Sequence, residues 1–378
     1  MSISYIPEKV KIRLWGKAAG HCQYEGCNEC LWLDSLTKAE FNVAYIAHII
    51  ADSPDGPRGD PERSKKLKSD ISNLMLLCDK HHRLIDNIED VQGHPVKRLE
   101  DMKRKHEERI ELLTTIKEDT QSHVLLYGAN IGEHHASVSW NKAAQAILPR
   151  WYPAEKTALE LSLKNSSYQD NQQKYWQIER EHLQTQFARV VKPRLAKGDI
   201  EHLSVFALAP QPLLIELGRL LSDIPAAEVY QLHREPQPDW KWQKYPNRTD
   251  YKLIKPDSNQ KMAALNLSLS ATIDDSRITS VLNENVSIWR LTIESPHNDF
   301  LKSREQLARF REEFRKTLDL IKARHGQNTL LHLFPAVPVA VAMEIGRVWM
   351  PKADIPLRIY DQNRKAGGFV MAFDISNQ

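Results

Sequence analysis

The segment that decides the fold covers residues 44–86 and reads AYIAHIIADSPDGPRGDPERSKKLKSDISNLMLLCDKHHRLID. A short apolar run ends at His48 and predicts a strand. Residues 51–69 are rich in Pro, Gly, Asp and Lys, which is typical of an exposed loop. Asn73 then opens a second apolar run. A predicted helix begins directly after that run with a cysteine and two histidines, Cys78, His81 and His82.

The cysteines indicate a metal site. All four lie in the first quarter of the chain, which favours metal binding in a reducing compartment over disulfides. Cys22 and Cys27 are separated by four residues, and Cys78 and His81 by two, spacings that let paired ligands reach one tetrahedral Zn²⁺. Cys30 offers an alternative pair with Cys27, but the glycine before Cys27 favours the first pairing. A small, loop-rich unit of this kind often needs such an ion to hold its fold.

Together these residues resemble the HNH, or ββα-metal, endonuclease family. The resemblance implies that His48 is the general base, that Asn73 orients the loop or the metal, and that His82 binds a divalent ion, Mg²⁺ or Mn²⁺. His81 takes the place that a cysteine usually fills in the family's CxxCH ending, and we therefore assign it to the zinc. A histidine suits the base role because its ordinary pKa lies close to neutral pH.

The chain departs from the family pattern before the first histidine. Many family members carry a metal-binding acidic residue there, whereas this chain has Ala47. The ion then needs another oxygen ligand, and the candidates are water and three carboxylates of the loop region, Asp52, Asp60 and Asp70.

Length and charge limit the other possibilities. The 378 residues predict two or three domains, and we place a boundary in the polar stretch at 117–123, with an α+β nuclease domain at 1–118 and a second domain at 119–378. No run of eighteen apolar residues exists, and the first fifteen residues lack a signal-peptide core, so we expect a cytoplasmic protein without a membrane partner.

The charge of the first 118 residues is balanced, with 19 Lys and Arg against 20 Asp and Glu. The positively charged residues are concentrated in two groups. Either group could form a phosphate-binding face, but charged side chains exposed to solvent are the simpler interpretation. The groups are Arg58, Arg63, Lys65, Lys66 and Lys68, and Lys97, Arg98, Lys103, Arg104 and Lys105.

Secondary structure follows from periodicity and turn residues. We expect strands at 31–33 and 41–50, helices at 7–19 and 96–116, and a strand at 124–127. A long helix is expected at 172–197, although Pro193 would end it early.

The second domain contains an internal repeat. Residues 197–221 match residues 325–349 without a gap at an offset of 128, and both copies share the pattern Glu-(Leu/Ile)-Gly-Arg. With the offset grown by two, YQLHR at 230–234 matches YDQNR at 360–364. Each copy predicts a helix, a buried strand, a proline-containing turn, a second helix and a second strand, in that order. This order is typical of parallel α/β sheets. The repeat therefore predicts two fused Rossmann-like halves, at about 124–250 and 251–378.

This domain resembles the SAVED domain, a sensor of cyclic oligonucleotides fused to nucleases in the bacterial anti-phage systems called CBASS. The resemblance is carried by residues 202–223, by PDWKW at 238–242 and by residues 333–349. It implies an α/β domain of two halves like those of CRISPR-associated Rossmann-fold sensors. Neither copy has a GxGxxG loop, which argues against a nicotinamide cofactor.

Ligands of doubly wound sheets bind beyond the carboxyl ends of the strands, so we expect a cyclic di- or trinucleotide there. Arginines suit phosphates and tryptophans suit stacked bases, with surface charge and core packing as the alternatives. The candidate ligand-binding residues are Pro210, Gln211, Arg234, Trp240, Trp242, Pro335 and Arg364.

The two resemblances together imply a DNA endonuclease that cuts double-stranded DNA after a second messenger binds and copies of the chain associate, as a dimer to tetramer. Three other functions remain open. The chain could be a restriction-type nuclease whose C-terminal domain reads modified DNA, a non-catalytic zinc-binding DNA module, or an enzyme that destroys the cyclic nucleotide itself.

Overall fold

The computed structural model describes residues 5–34, 36–87, 89–117, 119–134, 136–163, 168–243, 249–257, 259–363 and 365–376. The chain divides into two compact units, Met1–Lys117 and Glu118–Gln378, and each has a hydrophobic core of its own. No helix within these described ranges is both long enough and apolar enough to cross a bilayer.

The N-terminal unit is built around a two-stranded antiparallel sheet followed by a helix. Its described elements are α1 (Glu8–Ala18), β1 (Tyr45–His48), α2 (Arg63–Leu67), β2 (Leu74–Leu77), α3 (Asp79–Asp86) and α4 (Val96–Thr114). All four residues of β2 are buried, and β2 pairs with β1 so that His48 lies opposite Leu74. Helix α3 begins directly after β2, which places its first turn beside the sheet.

Two expectations for this unit are wrong. Residues 31–33 form no strand: Leu33 and Glu40 make only an isolated bridge, because the Asp34 side chain accepts bonds from the backbone N–H groups of Leu36 and Thr37 and closes a local turn. The strand expected at 41–50 is confined to β1. The loop at 51–69 contains the short helix α2, whose Ser64 is fully buried.

The C-terminal unit begins with a five-stranded parallel sheet. Its elements are β3 (Gln121–Gly128), α5 (Trp140–Ile147), β4 (Tyr152–Pro153), β5 (Leu159–Glu160), α6 (Gln173–Gln186), a π-helical turn (Phe187–Val191), α7 (Lys192–Lys197), β6 (Leu203–Leu208), α8 (Gln211–Leu221) and β7 (Ala227–Val229). The strand order is β4-β3-β6-β7, with β5 also paired to β3.

A six-stranded sheet follows. Its elements are β8 (Lys252–Ile254), β9 (Met262–Ser268), α9 (Asp275–Leu282), β10 (Val286–Thr292), α10 (Arg304–His325), β11 (Leu331–Ala336), α11 (Val339–Val348), β12 (Leu357–Asn363) and β13 (Gly368–Ile375). The order is β13-β12-β11-β9-β10-β8, and only the outer strands β8 and β13 pair antiparallel.

The two sheets share one topology. The order β5-β3-β6-β7 in the first sheet corresponds to β10-β9-β11-β12 in the second, and all these pairs are parallel. The sequence repeat aligns β6 with β11 and α8 with α11. The C-terminal unit is therefore two doubly wound α/β halves, each with a central strand followed by a helix that begins after a proline.

The helix expected at 172–197 is not interrupted by Pro193. It bends through the π-helical turn, and Pro193, which has no N–H, directly follows that turn at the start of α7. The helix ends at Gly198, whose φ is 78°.

The halves meet where α8 crosses α11, and the shared motif explains how closely they approach. A Cβ built on Gly218 would lie 1.9 Å from the carbonyl oxygen of Met343, and one on Gly346 would lie 1.9 Å from the carbonyl oxygen of Ile215. The neighbouring Glu216 and Glu344 are buried, and each is paired with the arginine three residues later. The repeated glycines therefore allow backbone contact across the pseudo-two-fold axis.

We expect Gly346→Ala to destabilise the C-terminal unit, because the added methyl group would collide with backbone atoms that cannot move independently. Overpacking of this kind costs about 1–3 kcal/mol, which lowers the melting temperature by several degrees in a unit of this size. Gly368→Ala is the matched control, since nothing lies within 4 Å of a Cβ at that position. Equal melting temperatures for the two variants would contradict the close crossing.

Candidate functional site

The residues expected to bind zinc lie together in the N-terminal unit. The ligand atoms of Cys22, Cys27, Cys78 and His81 all lie within 4.8 Å of one another. His81 Nδ1 is 3.1 Å from Cys78 Sγ and 3.7 Å from Cys22 Sγ. Ligands of a tetrahedral zinc with bonds of about 2.0–2.3 Å are spaced by about 3.5 Å, so the donor set fits the ion. Cys30 is outside this group.

The surroundings hold this cluster in place. Cys78 lies between β2 and α3, and its backbone N–H donates to Cys22 Sγ at 3.4 Å. The Tyr24 ring stacks on the His81 ring with a centroid distance of 4.1 Å, and the Tyr24 hydroxyl bonds His94 Nε2 at 2.9 Å. Burial raises the pKa of both Cys22 and Cys78. A bound cation would offset that effect, since it stabilises the thiolates.

The His48 ring is held by a backbone carbonyl. Its side chain is 7% exposed, and its Nε2 is 2.8 Å from the carbonyl oxygen of Lys68. Because a carbonyl can only accept, Nε2 carries the proton, and Nδ1 keeps a free lone pair. This tautomer is the one that can take a proton from water.

Asn73 fixes the backbone that follows His48. Its Oδ1 accepts from the N–H of Ile50 at 2.8 Å, and its Nδ2 donates to the carbonyl of Ile50 at 2.9 Å and to that of Leu67 at 3.3 Å. The side chain is 3% exposed and fully engaged by the backbone. These bonds fit the loop-orienting role, one of the two roles that the resemblance implies for Asn73.

Arg58 has a different role from the one its position in a basic loop suggested. The guanidinium donates to the carbonyls of Ile49 and Ile85, at 2.7 Å and 2.5 Å, and to Asp86 Oδ1 at 2.8 Å. Its side chain is 5% exposed, so it is not available to a phosphate. It instead ties the end of β1 to the end of α3.

His82 lies on α3 beside an acidic residue. Its Nε2 is 3.9 Å from Asp86 Oδ2, one helical turn away, and its ring stacks on Tyr45 at 4.9 Å. Burial lowers the pKa of His82, which favours the neutral, metal-binding form. Asp60 and Asp70 are occupied as turn and helix caps, because their Oδ1 atoms accept from backbone N–H groups. Asp86 is thus a candidate oxygen ligand that sequence reasoning missed, although its i, i+4 spacing from His82 was a usable signal.

The second basic group is largely neutralised. Lys103 is 7% exposed and bonds Glu107, while Arg104 pairs with Asp101 and Glu108. These two side chains do not form a free phosphate-binding face.

The C-terminal unit has a cavity of about 400 Å³ at the carboxyl ends of β6 and β11, lined by both halves. Four of the expected ligand residues line it: Pro210, Gln211, Arg234 and Pro335. Gln211 Oε1 accepts from the N–H of Val337 at 3.2 Å, which joins the two halves at the cavity wall.

The expected tryptophans do not line this cavity. Trp240 is 3% exposed and packs edge-on against Phe206 in the core of the first half. Trp242 lines a separate surface cavity and contacts the His233 ring. The expectation that they stack a base in the ligand site is therefore wrong for Trp240 and unsupported for Trp242. Arg364 lies outside the described residues.

Several cavity residues escaped sequence reasoning. Gln231, Arg277, Asp170 and Asp361 all line the cavity. The repeat contained a signal for two of them, because it aligns Gln231 with Asp361, and a position facing the cavity in one copy does so in the other. Asp170 and Arg277 lie outside the repeated segments.

Comparison with known proteins was made for the sequence and for the structure. A search of curated proteins found no match. Solved structures of Acinetobacter baumannii Cap4 SAVED/CARF-domain containing receptors, with the cyclic trinucleotides 2'3'3'-cAAA and 3'3'3'-cAAA, match with TM-scores of 0.43 and 0.42 and identities of 12% and 15%. They cover 84% and 83% of this chain and 67% and 66% of theirs. A Moraxella osloensis receptor of the same kind has a TM-score of 0.38, 13% identity and coverages of 76% and 64%.

The chain thus spans about two thirds of the length of these receptors. The family model of the SMODS-associated and fused to various effectors sensor domain, abbreviated SAVED, matches residues 183–375. That match takes in β6, α8 and the whole second half, and so includes most of the cavity wall. On this evidence the chain belongs to the SAVED family.

Proposed function

We propose that this protein is a DNA endonuclease of bacterial anti-phage defence, switched on when its C-terminal unit binds a cyclic oligonucleotide. One observation carries the proposal: this SAVED-family chain contains a second unit with two antiparallel strands and a helix. In that unit His48 ends β1, Asn73 directly precedes β2, and His82 lies in the first turn of α3. The family's description as a sensor fused to effectors supports the division of roles.

The cavity supports the sensor half of the proposal. Its volume of about 400 Å³ lies in the range of small-molecule sites, about 300–1,000 Å³, and both halves contribute to its wall. Arg234 and Arg277 supply guanidinium groups suited to phosphates. A cyclic di- or trinucleotide combines phosphates with polar bases, and we infer that this class of molecule is the activating ligand.

In the N-terminal unit, His48 acts on the attacking water. Its Nδ1 accepts the proton, while the bond from Nε2 to the Lys68 carbonyl fixes the ring and stabilises the imidazolium that forms. Asn73 and Arg58 hold the backbone that directly follows His48 and so keep the base in place.

His82 and Asp86 would hold the divalent ion, Mg²⁺ or Mn²⁺. The pair fits the task, because a neutral imidazole nitrogen and a carboxylate oxygen lie 3.9 Å apart on one face of α3. The ion supplies charge neutralisation at the scissile phosphate and at the leaving oxygen. Asp86 replaces the acidic residue that the family carries where this chain has Ala47.

Activation by assembly follows from the substrate. Cutting both strands of DNA in one binding event takes two active sites, so we infer that copies of the chain, a dimer to tetramer, act together. If a cyclic nucleotide drives that assembly, it must bind the assembled form more tightly than the free chain.

The test is cleavage of plasmid DNA by the full chain with Mg²⁺, with and without a panel of cyclic di- and trinucleotides. We expect linear and then fragmented DNA with one class of ligand and intact plasmid without it. Cleavage that is independent of every ligand would refute the switch and favour a restriction-type enzyme. Loss of the cyclic nucleotide during incubation, measured by chromatography, would instead indicate an enzyme that destroys it.

A further inference from the structure

Two carboxyl groups, one from each half, lie on the wall of the cavity. Asp361 belongs to β12 of the second half, and Asp170 belongs to the segment that precedes α6 of the first. Asp361 is 9% exposed, and no described lysine or arginine forms an ion pair with it. A polyanionic ligand in this cavity would therefore lie beside acidic groups. A site that bound it by charge attraction alone would have cations at these positions.

The neighbouring groups do not neutralise Asp361. Asp170 is held by the N–H of Gly132 at 2.8 Å and by Asn363 Nδ2 at 3.4 Å. Tyr175 on α6 donates its hydroxyl to the carbonyl of Asn130 at 2.6 Å and so is not directed at either carboxyl group. The two cavity arginines are Arg234 and Arg277, and the second lies over the Phe369 ring at 4.9 Å.

Burial raises the pKa of Asp361 to about 8, and the charge of Asp170 acts in the same direction, while a backbone hydrogen bond at Gln362 acts against them. Two carboxyl groups that interact through a low dielectric do not both ionise easily. At neutral pH Asp361 is therefore mainly the uncharged acid, and it has a proton to donate.

We propose that the cavity binds its nucleotide with Asp361 as an uncharged carboxylic acid, so that ligand binding is coupled to the presence of a proton on this residue. The inference rests on the proposed nucleotide sensing and adds its pH dependence. A carboxylic acid can donate to a phosphate oxygen or a base nitrogen, whereas a carboxylate can only accept. An ionised Asp361 would also repel the phosphates of the ligand through a medium of low dielectric constant.

Binding of the panel ligand with the highest affinity at pH 6.5 should be measured by calorimetry from pH 6.5 to pH 9.5. We expect the wild-type affinity to fall about tenfold or more over this range, since above the pKa each pH unit reduces the protonated fraction about tenfold. Asp361→Asn should bind with an affinity that changes little with pH. At pH 8, heats measured in two buffers of different ionisation enthalpy should reveal proton uptake by the wild type and none by the variant.

Asp170→Asn is the matched control. It keeps an oxygen that can accept from Gly132 but removes the charge that raises the pKa of Asp361, so the fall in affinity should begin at a lower pH in this variant than in the wild type. Affinity that is equally flat in the wild type and in Asp361→Asn would overturn the inference while leaving nucleotide sensing intact.

A measurement without ligand separates the two proposals. The pKa of Asp361 is higher in the folded chain than in the unfolded one, so the wild type loses stability relative to Asp361→Asn as pH rises toward 8, and the difference is constant above that pH. Melting temperatures of both proteins from pH 5 to pH 9 show this directly. If no ligand binds at any pH, nucleotide sensing fails; a melting difference that does not change with pH refutes the proton on Asp361 separately.

Discussion

Removal of the metal should unfold the N-terminal unit and leave the C-terminal unit folded. The four ligands come from two segments, and Cys22 and Cys78 are separated by 56 positions in the sequence. A structural zinc contributes about 10–16 kcal/mol in small domains, as much as the whole stability of an ordinary domain. Chelation of the ion, or Cys78→Ser, should therefore abolish one of two thermal transitions. Metal content and circular dichroism on the same samples test this.

Cys30→Ser is the control for this experiment. Cys30 is another cysteine of the same segment, but it lies outside the cluster. The variant should keep one zinc per chain and both transitions. A protein that is purified without zinc and melts in the same way before and after chelation would refute the metal site.

His48→Ala should reduce the rate of ligand-activated DNA cleavage about 10²–10⁴-fold, the range in which a general base contributes. The expectation rests on the tautomer that the Lys68 carbonyl imposes, which leaves Nδ1 as the group that can accept a proton from water. Single-turnover rates at saturating DNA are the measurement. The loss should appear in the maximal rate and not in the affinity for DNA.

Zinc content should be unchanged in this variant, because His48 is not a zinc ligand, and the N-terminal unit should still be folded at the assay temperature. If the wild type cleaves and His48→Ala cleaves at the same maximal rate, His48 is not the base. If the wild type binds DNA without cutting it under any condition, the unit is a zinc-binding DNA module, the alternative that Ala47 raised.

The elements around residues 44–86 were predictable because their signals are local. An apolar run, a change of composition and a cluster of cysteine and histidine residues each depend on neighbours in sequence, and the structure brings together the four side chains that were expected to bind zinc. The strand expected at 31–33 was wrong because a second local signal opposed the first. Its apolar residues matched a strand, but hydrogen bonds to Asp34 favoured a turn.

Long-range packing accounts for the other differences. Arg58 lies in a polar loop, and its burial depends on Asp86, 28 residues later. The polar neighbours of Trp240 in PDWKW give no sign of which residue packs against it, and the structure shows that Phe206 of β6 does. Asp170 and Asp361 belong to different halves, 191 residues apart, so only the three-dimensional fold brings them to one wall. The repeat was the one long-range signal that the sequence contained, and it located the strands, the helices and the crossing glycines.

The duplicated halves do not give the cavity chemically matching sides. Pro210 and Pro338 occupy equivalent places on its wall, but the next residue is Gln211 in one half and Val339 in the other. In the same way Gln231 corresponds to Asp361. A ring of identical nucleotides presents the same groups in every direction, whereas this wall offers an amide on one side and a methyl surface on the other. Such a ring would be held at inequivalent positions, with each unit of the ligand in its own chemical environment, distinguishable by a separate NMR signal.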